Sequence, residues 1–519
     1  MAAPARLPSP NRELDEGKMR ASAWLGGLFV AALLATSPAA AQKAADTLRI
    51  AWRDAVPNVD YYYNSQRTGL IVAHHVWDTL IYRDPETFQM KPQLATSWKY
   101  VDDTTIEFEL RAGVTFHDGS PMTADDVVYT VMSLQNDKQV ATPSNYTYLA
   151  GAEKIDDLHV RIKLKRVFPA ALEYISMTLP IYPKAYRERV GEAFSKMPIG
   201  TGPYRVTKVD GVTEIDLERN DAYFDGPKGK PPIKKIIIKE VADASGELTA
   251  LLGNQVDWIW NFSPDQMDRI GAMPNLQVLR SESMRVVYMN MDAAGRTGDT
   301  PLKNLKVRQA IIHAVDRVTM SKQFMPGSRP LDAPCYPTQF GCDQAVATKY
   351  EYDPVKAKAL LTEAGYPNGF ETEMVGYLLP QWMQATQNYL AAVGIKAKVT
   401  QLQVGAVIQR SIEGKNPLDL GSWGSYSIND ASAFLPYYFT GGGQDYTRDP
   451  EVKSLVEAGG NETDPDKRRA AYSAAIKRIT EQAYYMPIFT NVSVYAFSKN
   501  LNFKAFRDEL PRFYLSSWK

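Results

Sequence analysis

The stretch that decides the fold occupies residues 95–127 and has the sequence ATSWKYVDDTTIEFELRAGVTFHDGSPMTADDV. Apolar and polar residues alternate over 105–110, which predicts a strand with one buried face. A turn of two aspartates and a threonine joins it to a second strand at 98–101. Thr123 is followed three residues later by Asp126, the spacing of a capping box, so we expect a helix to begin there.

The same two periodicities extend outward along the chain. Alternation predicts further strands, and helical spacing of apolar residues predicts helices. The strands are expected at 47–52, 160–164, 204–217 as a hairpin, 233–241, 395–399 and 486–497. The helices are expected at 68–81, 305–322, 353–365 and 464–482. Strands and helices alternate, with strands near both ends of the chain, which favours a multi-lobed α/β fold.

The composition excludes several classes of protein. The 519 residues carry 59 Lys and Arg against 59 Asp and Glu, so the chain has no net charge to attract nucleic acid or anionic membranes. Apolar residues make up 45%, which is typical of soluble globular proteins rather than disordered chains. No nucleic-acid partner is expected.

The N-terminal segment has the pattern of a secretory signal peptide. A basic flank at Lys18 and Arg20 precedes an apolar stretch at 24–35, and small residues end at Ala41. We expect residues 1–41 to be removed, and Met19 is a more natural start than the first residue. The apolar stretch is too short to span a bilayer, although a short membrane anchor is the alternative. Because no cysteine lies near the cleavage site, no lipid anchor is expected, and the location is predicted to be periplasmic.

The two cysteines, Cys335 and Cys342, are too few for a four-thiolate metal site. An oxidising periplasm would allow them to form a disulfide, whereas two buried free thiols are the alternative.

No catalytic motif of a hydrolase, metalloprotease or nucleotide-binding enzyme occurs in the sequence. The adjacent His74 and His75 would point to different faces of a helix, unlike a metal-binding pair. His117 and Asp118 lie in a turn without a neighbouring nucleophile. We therefore predict that the protein is not an enzyme and has neither cofactor nor metal.

The order of residues over 95–127 resembles a signature of the peptide/nickel-type solute-binding proteins of ABC importers. Further segments are similar to the same family, and together they cover nearly all of 46–519. They are Gly200-Thr-Gly-Pro-Tyr204, Glu218-Arg-Asn220, Val307-Arg-Gln-Ala310, Asp316-Arg317 and Tyr352-Asp-Pro354 through Pro367.

The resemblance implies a periplasmic binding protein with two lobes joined by two crossing segments. It implies a lobe I in three pieces, an inserted smaller domain and a lobe II. Lobe I would comprise 42–86, 200–290 and 484–519, the inserted domain 87–199 and lobe II 291–483. Such a protein captures a peptide or another peptide-sized polar ligand in the cleft between its lobes. It closes by a hinge motion and delivers the ligand to an ABC permease in the inner membrane.

The family holds its ligand with a lobe II loop that carries a tryptophan and usually a downstream aspartate, which pairs with the α-amino group of a peptide. The resemblance places Trp423 and Gly424 in this loop. Ser425 or Ser427 stands where the aspartate is expected, while Asp430 lies a few residues further on. A buried ammonium needs a charged or well-bonded partner, so either Asp430 takes this role or the ligand lacks a free amine there.

Other candidate ligand contacts are spread along the chain. Three successive tyrosines cannot all face a core, because successive side chains differ in direction, so one or two of them are expected to face the cleft. Trp260 shares a strand face with Trp258, either in the core or on the cleft wall. A carboxylate of the ligand could pair with Arg410, unless this residue forms a surface salt bridge. The full set of these additional candidates is Tyr61, Tyr62, Tyr63, Asn64, Trp260 and Arg410.

The ligand class stays open at this point. An opine, an oligosaccharide or a nickel chelate is an alternative to a peptide, and a periplasmic hydrolase is an alternative of another class. We expect a monomer that binds one ligand.

Overall fold

A computed structural model describes residues 46–54, 56, 58–64, 66–211 and 213–519. The predicted signal peptide at 1–41 therefore lies outside the described residues.

Most of the strands are short, and they group into one large and several small sheets. They are β1 (Thr47–Trp52), β2 (Ile81–Arg83), β3 (Met90–Pro92), β4 (Ala95–Asp102), β5 (Thr105–Leu110), β6 (Leu149–Lys154), β7 (His159–Leu164), β8 (Tyr204–Asp210), β9 (Glu214–Arg219), β10 (Lys235–Glu240), β11 (Trp258–Trp260), β12 (Leu276–Met291), β13 (Phe370–Gly376), β14 (Ile395–Gln401), β15 (Leu418–Trp423), β16 (Tyr485–Ser498), β17 (Leu501–Asn502) and β18 (Ser517–Trp518).

The helices lie between these strands. They are α1 (Arg67–Val76), α2 (Ala124–Asn136), α3 (Ala171–Thr178), α4 (Lys184–Val190), α5 (Ala244–Leu252), α6 (Met267–Gly271), α7 (Leu305–Ala314), α8 (Arg317–Phe324), α9 (Pro354–Glu363), α10 (Pro380–Ala392), α11 (Val404–Ile412), α12 (Leu435–Phe439), α13 (Pro450–Asn461) and α14 (Pro465–Glu481).

The large sheet has ten strands in the order β14-β13-β15-β12-β16-β11-β1-β10-β9-β8. Its two longest strands, β12 and β16, are antiparallel neighbours at the centre of this order. The C-terminal half of β12 pairs with β15, whereas the C-terminal half of β16 pairs with β11. These two strands thus belong to both sides of the sheet. Below, lobe I denotes the β11-to-β8 side with the elements packed on it, and lobe II denotes the β15-to-β14 side.

The pairing of β12 with β16 shifts register between Glu282 and Val286 and again between Val287 and Tyr288. Such irregularities bend and twist a strand pair locally. The bend lies where the chain passes from one lobe to the other, which makes this part of the two strands a candidate hinge.

The quoted stretch at 95–127 builds two of the four strands of a smaller antiparallel sheet with the order β4-β5-β7-β6. Its predicted strands and helix start are confirmed. Asp126 Oδ2 accepts a hydrogen bond of 2.9 Å from the backbone N–H of Thr123, which completes the capping box at the start of α2. The apolar face of α2, with Val127 and Val131 fully buried, packs on this sheet.

Two predicted helices differ from the structure. The helix predicted at 305–322 is two helices, because the chain leaves the helical conformation at Val315 and the Asp316 side chain caps a new helix at Thr319 N. The helix predicted at 68–81 ends at Val76, and the chain continues in extended form to β2. The predicted terminal strand and the preceding helix are confirmed as β16 and α14.

Candidate functional site

The loop after β15 contains an unusual left-handed turn. Ser425, Tyr426 and Ser427 have φ values of 49°, 49° and 64°, although none of them is glycine. For L-residues this conformation costs about 1–2 kcal/mol per residue, so three in succession need support from their surroundings. Within the loop, Ser427 N donates to Gly424 O and Ile428 N donates to Ser425 O, each at 2.8 Å.

Lobe I supplies further support for this turn. Arg83 Nη1 donates to Ser427 O at 2.6 Å, and Arg67 Nη1 donates to Ser427 Oγ. The Ser427 hydroxyl in turn donates to the carbonyl of Asp508 at 2.6 Å. Arg67, Arg83 and Asp508 all belong to lobe I, so these bonds connect the two lobes directly.

A second bond of this kind joins the loop to α3. Asn429 N donates to Glu173 Oε1 at 2.7 Å, and the same carboxylate is paired with Arg83. Burial raises the pKa of Glu173, and the Arg83 guanidinium offsets this rise only in part. The lobes are therefore held together in this structure by polar contacts that converge on the 427–429 backbone.

The cations behind the loop are held by two buried carboxylates. Asp508 binds Arg512 and Arg83 at 2.6 and 2.8 Å. Although burial alone would raise its pKa, these guanidiniums hold the pKa of Asp508 well below its usual range. Glu509 binds Arg285 at 2.9 Å. Burial alone would raise the pKa of Glu509, but the guanidiniums of Arg285 and Arg67 outweigh it and lower the pKa to about 2.

Two adjoining cavities lie between the lobes next to the turn. The smaller, of about 60 Å³, is bordered by Tyr61, Asn64 and Arg67 on one side and by Tyr426 on the other. The larger, of about 240 Å³, also has Tyr426 in its wall. Asn145 borders both cavities as well, so the two cavities adjoin at Asn145 and Tyr426, and together they are called the cleft below.

Aromatic rings dominate the wall of the larger cavity. Lobe II and the region of the four-stranded sheet both contribute to them, so a change in lobe orientation would open or close this space. The rings are those of Tyr148, Phe168, Tyr174, Tyr426 and Tyr437.

Other concavities lie away from the left-handed turn. A cavity of about 280 Å³ is also bordered by both lobes, for example by Met267 and Phe324, but no residue of the turn borders it. The widest described one, of about 940 Å³, is an open surface bay whose lining residues all fall within 58–196. No residue of lobe II reaches it, so lobe closure could not enclose a ligand there.

Trp423 stands behind the cleft rather than in its wall. Its ring stacks on Tyr437 at 4.8 Å between ring centroids and meets Tyr426 edge-on at the same distance. Its indole Nε1 is buried without a hydrogen-bond partner. Trp423 thus positions two rings of the larger cavity, and direct contact with a ligand stays a prediction.

Gly424 has a steric role. A Cβ atom at this position would lie 3.0 Å from Arg67 Nη2 and 3.2 Å from Arg285 Nη2. The absence of a side chain therefore lets both guanidiniums approach the loop.

The three tyrosines form a single 3₁₀ turn, and their side chains point to different surroundings. Tyr61 borders the smaller cavity together with Asn64. Tyr62 is buried and donates to Pro180 O at 2.6 Å. Tyr63 points to the surface bay and donates to Asp137 Oδ2 at 2.5 Å.

Asp430 is fully engaged by another residue. Its two carboxylate oxygens accept hydrogen bonds of 2.7 Å each from Nη1 and Nη2 of Arg468, and both side chains are buried. Oδ1 also accepts the N–H of Ser432 at 2.8 Å.

Trp260 and Arg410 border neither of the two cavities. Trp260 is 4% exposed and packs beside Trp258 in the lobe I core. Arg410 pairs with Glu373 at 2.9 Å on the lobe II surface.

Cys335 and Cys342 form a disulfide. The loop that it closes supports the segment after the left-handed turn. Gln339 Nε2 donates to Ile428 O at 2.9 Å, and Phe340 exchanges backbone hydrogen bonds with Asn429 and Ala431.

The sequence predictions missed several cleft residues. Tyr426 lies between Ser425 and Ser427, the two residues that the family resemblance places at the aspartate position. Arg67 and Arg166 gave no local signal, since Arg67 is 360 positions from its partner Ser427.

Within the described residues, no group of three or more His, Cys, Asp and Glu side chains is arranged to hold a metal ion. The same part of the chain has no helix that is long and apolar enough to cross a membrane.

Comparisons with known proteins agree on one family. The model for bacterial extracellular solute-binding proteins, family 5 Middle, matches residues 89–446. The glutathione-binding protein GsiB of Salmonella paratyphi A is 27% identical over 501 residues, which cover 92% of this chain and 95% of GsiB.

Solved structures share the fold. The dipeptide-binding protein of Pseudoalteromonas sp. SM9913 in complex with Met-Leu has a TM-score of 0.79 and 21% identity, covering 91% of this chain and all of that one (100%). The binding protein MoaA of A. tumefaciens R10 in complex with mannopinic acid has a TM-score of 0.77 and 22% identity, covering 92% and 100% of the two chains.

Proposed function

The chain belongs to the bacterial extracellular solute-binding proteins of family 5, and on this premise we propose that it captures a peptide-sized ligand in the cleft around Tyr426 for an ABC importer. The fold is that of the two-lobed periplasmic binding proteins, and the family consists of binding proteins rather than enzymes.

The observation that carries the proposal is the position of Tyr426. Its ring stands on a strained left-handed turn of lobe II and borders both interlobe cavities. Strain of this kind persists where the surroundings fix it, and it occurs often at ligand clamps. An aromatic-lined cleft with a few placed polar groups is a common design for binding small molecules.

The size of the cleft favours a small ligand. The larger cavity, at about 240 Å³, lies just below the roughly 300–1,000 Å³ that is typical of small-molecule sites. A di- or tripeptide, or a conjugate of similar size, suits this space. Because GsiB is named for glutathione and aligns over most of both chains, glutathione is the first ligand to test.

An opine is the second candidate. The engagement of Asp430 by Arg468 leaves this carboxylate unavailable to a peptide's ammonium, and a structural neighbour was solved with mannopinic acid. Ligands that do not depend on a free amine therefore deserve equal weight in the assay.

The remaining features of the proposal concern the whole protein. The segment 1–41 would direct export to the periplasm, the mature protein would act as a monomer, and an inner-membrane permease would receive the ligand. The lobe boundaries predicted from the sequence are supported by the two sides of the large sheet, which meet at β12 and β16.

Isothermal titration of the mature protein with glutathione, mannopinic acid and Met-Leu tests the proposal. Tyr426→Ala should weaken the binding of the preferred ligand at least tenfold, about 1.4 kcal/mol. Tyr352→Ala is the matched control, because Tyr352 is 46% exposed and borders neither cavity. Equal affinities of the two variants would refute the assignment of the cleft. Turnover of these compounds by the purified protein would instead support a hydrolase.

A further inference from the structure

The charged residues that border the two cavities are both arginines. Arg67 borders the smaller cavity and Arg166 borders the larger one. Neither lining contains an aspartate, a glutamate or a lysine. A cleft of this composition attracts an anion and gives an ammonium group no charged partner.

Among the described residues, the guanidinium of Arg166 has no carboxylate partner. Its Nη1 donates to Asn461 Oδ1 at 2.7 Å and to Gly460 O at 3.3 Å, and the group lies over the ring of Phe168. All of these partners are neutral. Because Asn461 and Gly460 belong to lobe II, Arg166 spans the rim of the larger cavity and carries an uncompensated charge there.

Arg67 has only a share in a carboxylate. Its Nη2 lies 3.2 Å from Glu509 Oε2, whereas Arg285 binds the same carboxylate through Nε and Nη2 at 3.0 and 2.9 Å. Arg285 is therefore the main partner of Glu509. Nη1 of Arg67 already donates to Ser427 Oγ and to the carbonyl of Asp508, so among the described residues its Nε and one hydrogen of Nη2 are left for another anion.

The carboxylates closest to the cleft are committed to other cations. Asp430 is bound bidentately by Arg468, and Asp508 lies between two arginines. Glu173 is paired with Arg83 and accepts the N–H of Asn429. None of these carboxylates is placed to receive a ligand's ammonium without breaking a buried ion pair, which is costly.

The larger cavity also offers two unused hydroxyls, those of Tyr148 and Ser432. Tyr148 is 3% exposed and borders this cavity, and its hydroxyl is buried without a hydrogen-bond partner in the part of the chain that the structure describes. Buried polar groups are normally hydrogen-bonded, so an acceptor on a bound ligand would satisfy this donor.

We propose that the cleft selects a peptide-sized ligand with two carboxylates, one bound by Arg67 and the other by Arg166, and that a free amine contributes nothing to binding. This inference rests on the proposed function. Arginine suits the role because its planar fork forms two parallel, charge-assisted hydrogen bonds with a carboxylate. The ring of Tyr426, which borders both cavities, would contact the middle of the ligand.

The test compares probes with one and two carboxylates by titration calorimetry on the mature protein. Glutathione and mannopinic acid represent the two-carboxylate class, and Met-Leu and Ala-Ala-Ala represent zwitterions with one carboxylate. At least one two-carboxylate probe should bind ten times more tightly than both zwitterions. Glutathione that is esterified at its glycine carboxylate should lose at least tenfold relative to glutathione, whereas N-acetylation should change its affinity less than about threefold.

Variants assign the effect to the two arginines. Arg67→Gln and Arg166→Gln should each weaken the binding of the two-carboxylate probe at least tenfold. Arg410→Gln, which removes an arginine that borders neither cavity, should leave the affinity within twofold. Arg166 lies at an exposed rim, so its variant remains informative even if Arg67→Gln fails to fold.

The outcomes separate the inference from the proposed function. Binding of Met-Leu or Ala-Ala-Ala as tightly as the best two-carboxylate probe would overturn the inference and leave the proposed function standing. Unchanged affinity of Arg166→Gln would do the same. Failure of every probe to bind at millimolar concentration would overturn both.

Discussion

The Asp430–Arg468 pair offers the sharpest test of the proposal that Asp430 is not free to bind a ligand's amine. The two side chains are 7% and 5% exposed, and two hydrogen bonds of 2.7 Å join them. Arg468→Met keeps the aliphatic stem but removes every donor. Asp430 would then keep only the 2.8 Å bond from Ser432 N.

The expected cost follows from this geometry. Removing one partner of a buried ion pair leaves an uncompensated charge and costs about 3–5 kcal/mol. We therefore expect Arg468→Met to lower the free energy of unfolding by that amount. The double variant Asp430→Asn/Arg468→Met should be less destabilised than the two single changes added together, with a coupling of about 2 kcal/mol or more.

Urea denaturation followed by tryptophan fluorescence provides the assay, because a midpoint shift at constant slope reports stability directly. Lys453→Met is the control, since Lys453 and Glu457 form an exposed pair at 3.7 Å and its loss should cost less than about 0.5 kcal/mol. A cost below about 1 kcal/mol for Arg468→Met would refute the reasoning. Asp430 would then be free to accept a ligand's ammonium.

Three further predictions follow from the same contacts. Replacing Cys335 and Cys342 by serine should lower the free energy of unfolding in urea by about 2.5 kcal/mol, because the unfolded chain is then no longer restricted by the closed loop. The same replacement should weaken ligand binding, because this loop supports the segment after the left-handed turn. An unchanged free energy of unfolding together with an unchanged affinity would contradict this role. The pKa of Glu509 in the folded protein, about 2, lies below its ordinary value of 4.5, so the stability that this carboxylate contributes is present above pH 4.5 and is lost as the pH falls toward 2. Glu509→Gln should therefore flatten the dependence of stability on pH between 4.5 and 2 by about 3 kcal/mol. A dependence parallel to that of the parent protein would contradict the role of Glu509. Gly424→Ala should leave the midpoint of thermal unfolding within a few degrees, since the φ of −106° at this position suits alanine. It should weaken ligand binding, because the new Cβ would displace the Arg67 guanidinium. Calorimetry that shows the affinity of the parent protein would contradict this role of Gly424.

The sequence predicted the fold well where local periodicity determines structure. The stretch at 95–127 specified two strands and a capped helix because alternation and capping act within a few residues. The helix predicted at 305–322 was wrong because Asp316 can serve as an N-cap as well as sit inside a helix, and only its hydrogen bond to Thr319 N decides between the two.

The cleft was predicted less completely for a physical reason. The resemblance to a family locates the loop of Trp423. The left-handed conformation of three residues in this loop is not predictable from the sequence, because none of the three is a glycine. The charge of the cleft depends on which carboxylates are already paired. The Asp430–Arg468 and Arg67–Glu509 contacts form between residues far apart in the chain, so no spacing in the sequence reveals them.

Native mass spectrometry of the protein purified from the periplasm tests the central claim most directly, because the claim is that the interlobe cleft holds one peptide-sized ligand. The account predicts a one-to-one adduct with the mass of a di- or tripeptide or a similar conjugate, which is released on denaturation and is absent from Tyr426→Ala. An adduct that is equally abundant in Tyr426→Ala would contradict the account. Protein that is purified without an adduct and then binds no peptide-sized compound would contradict it as well.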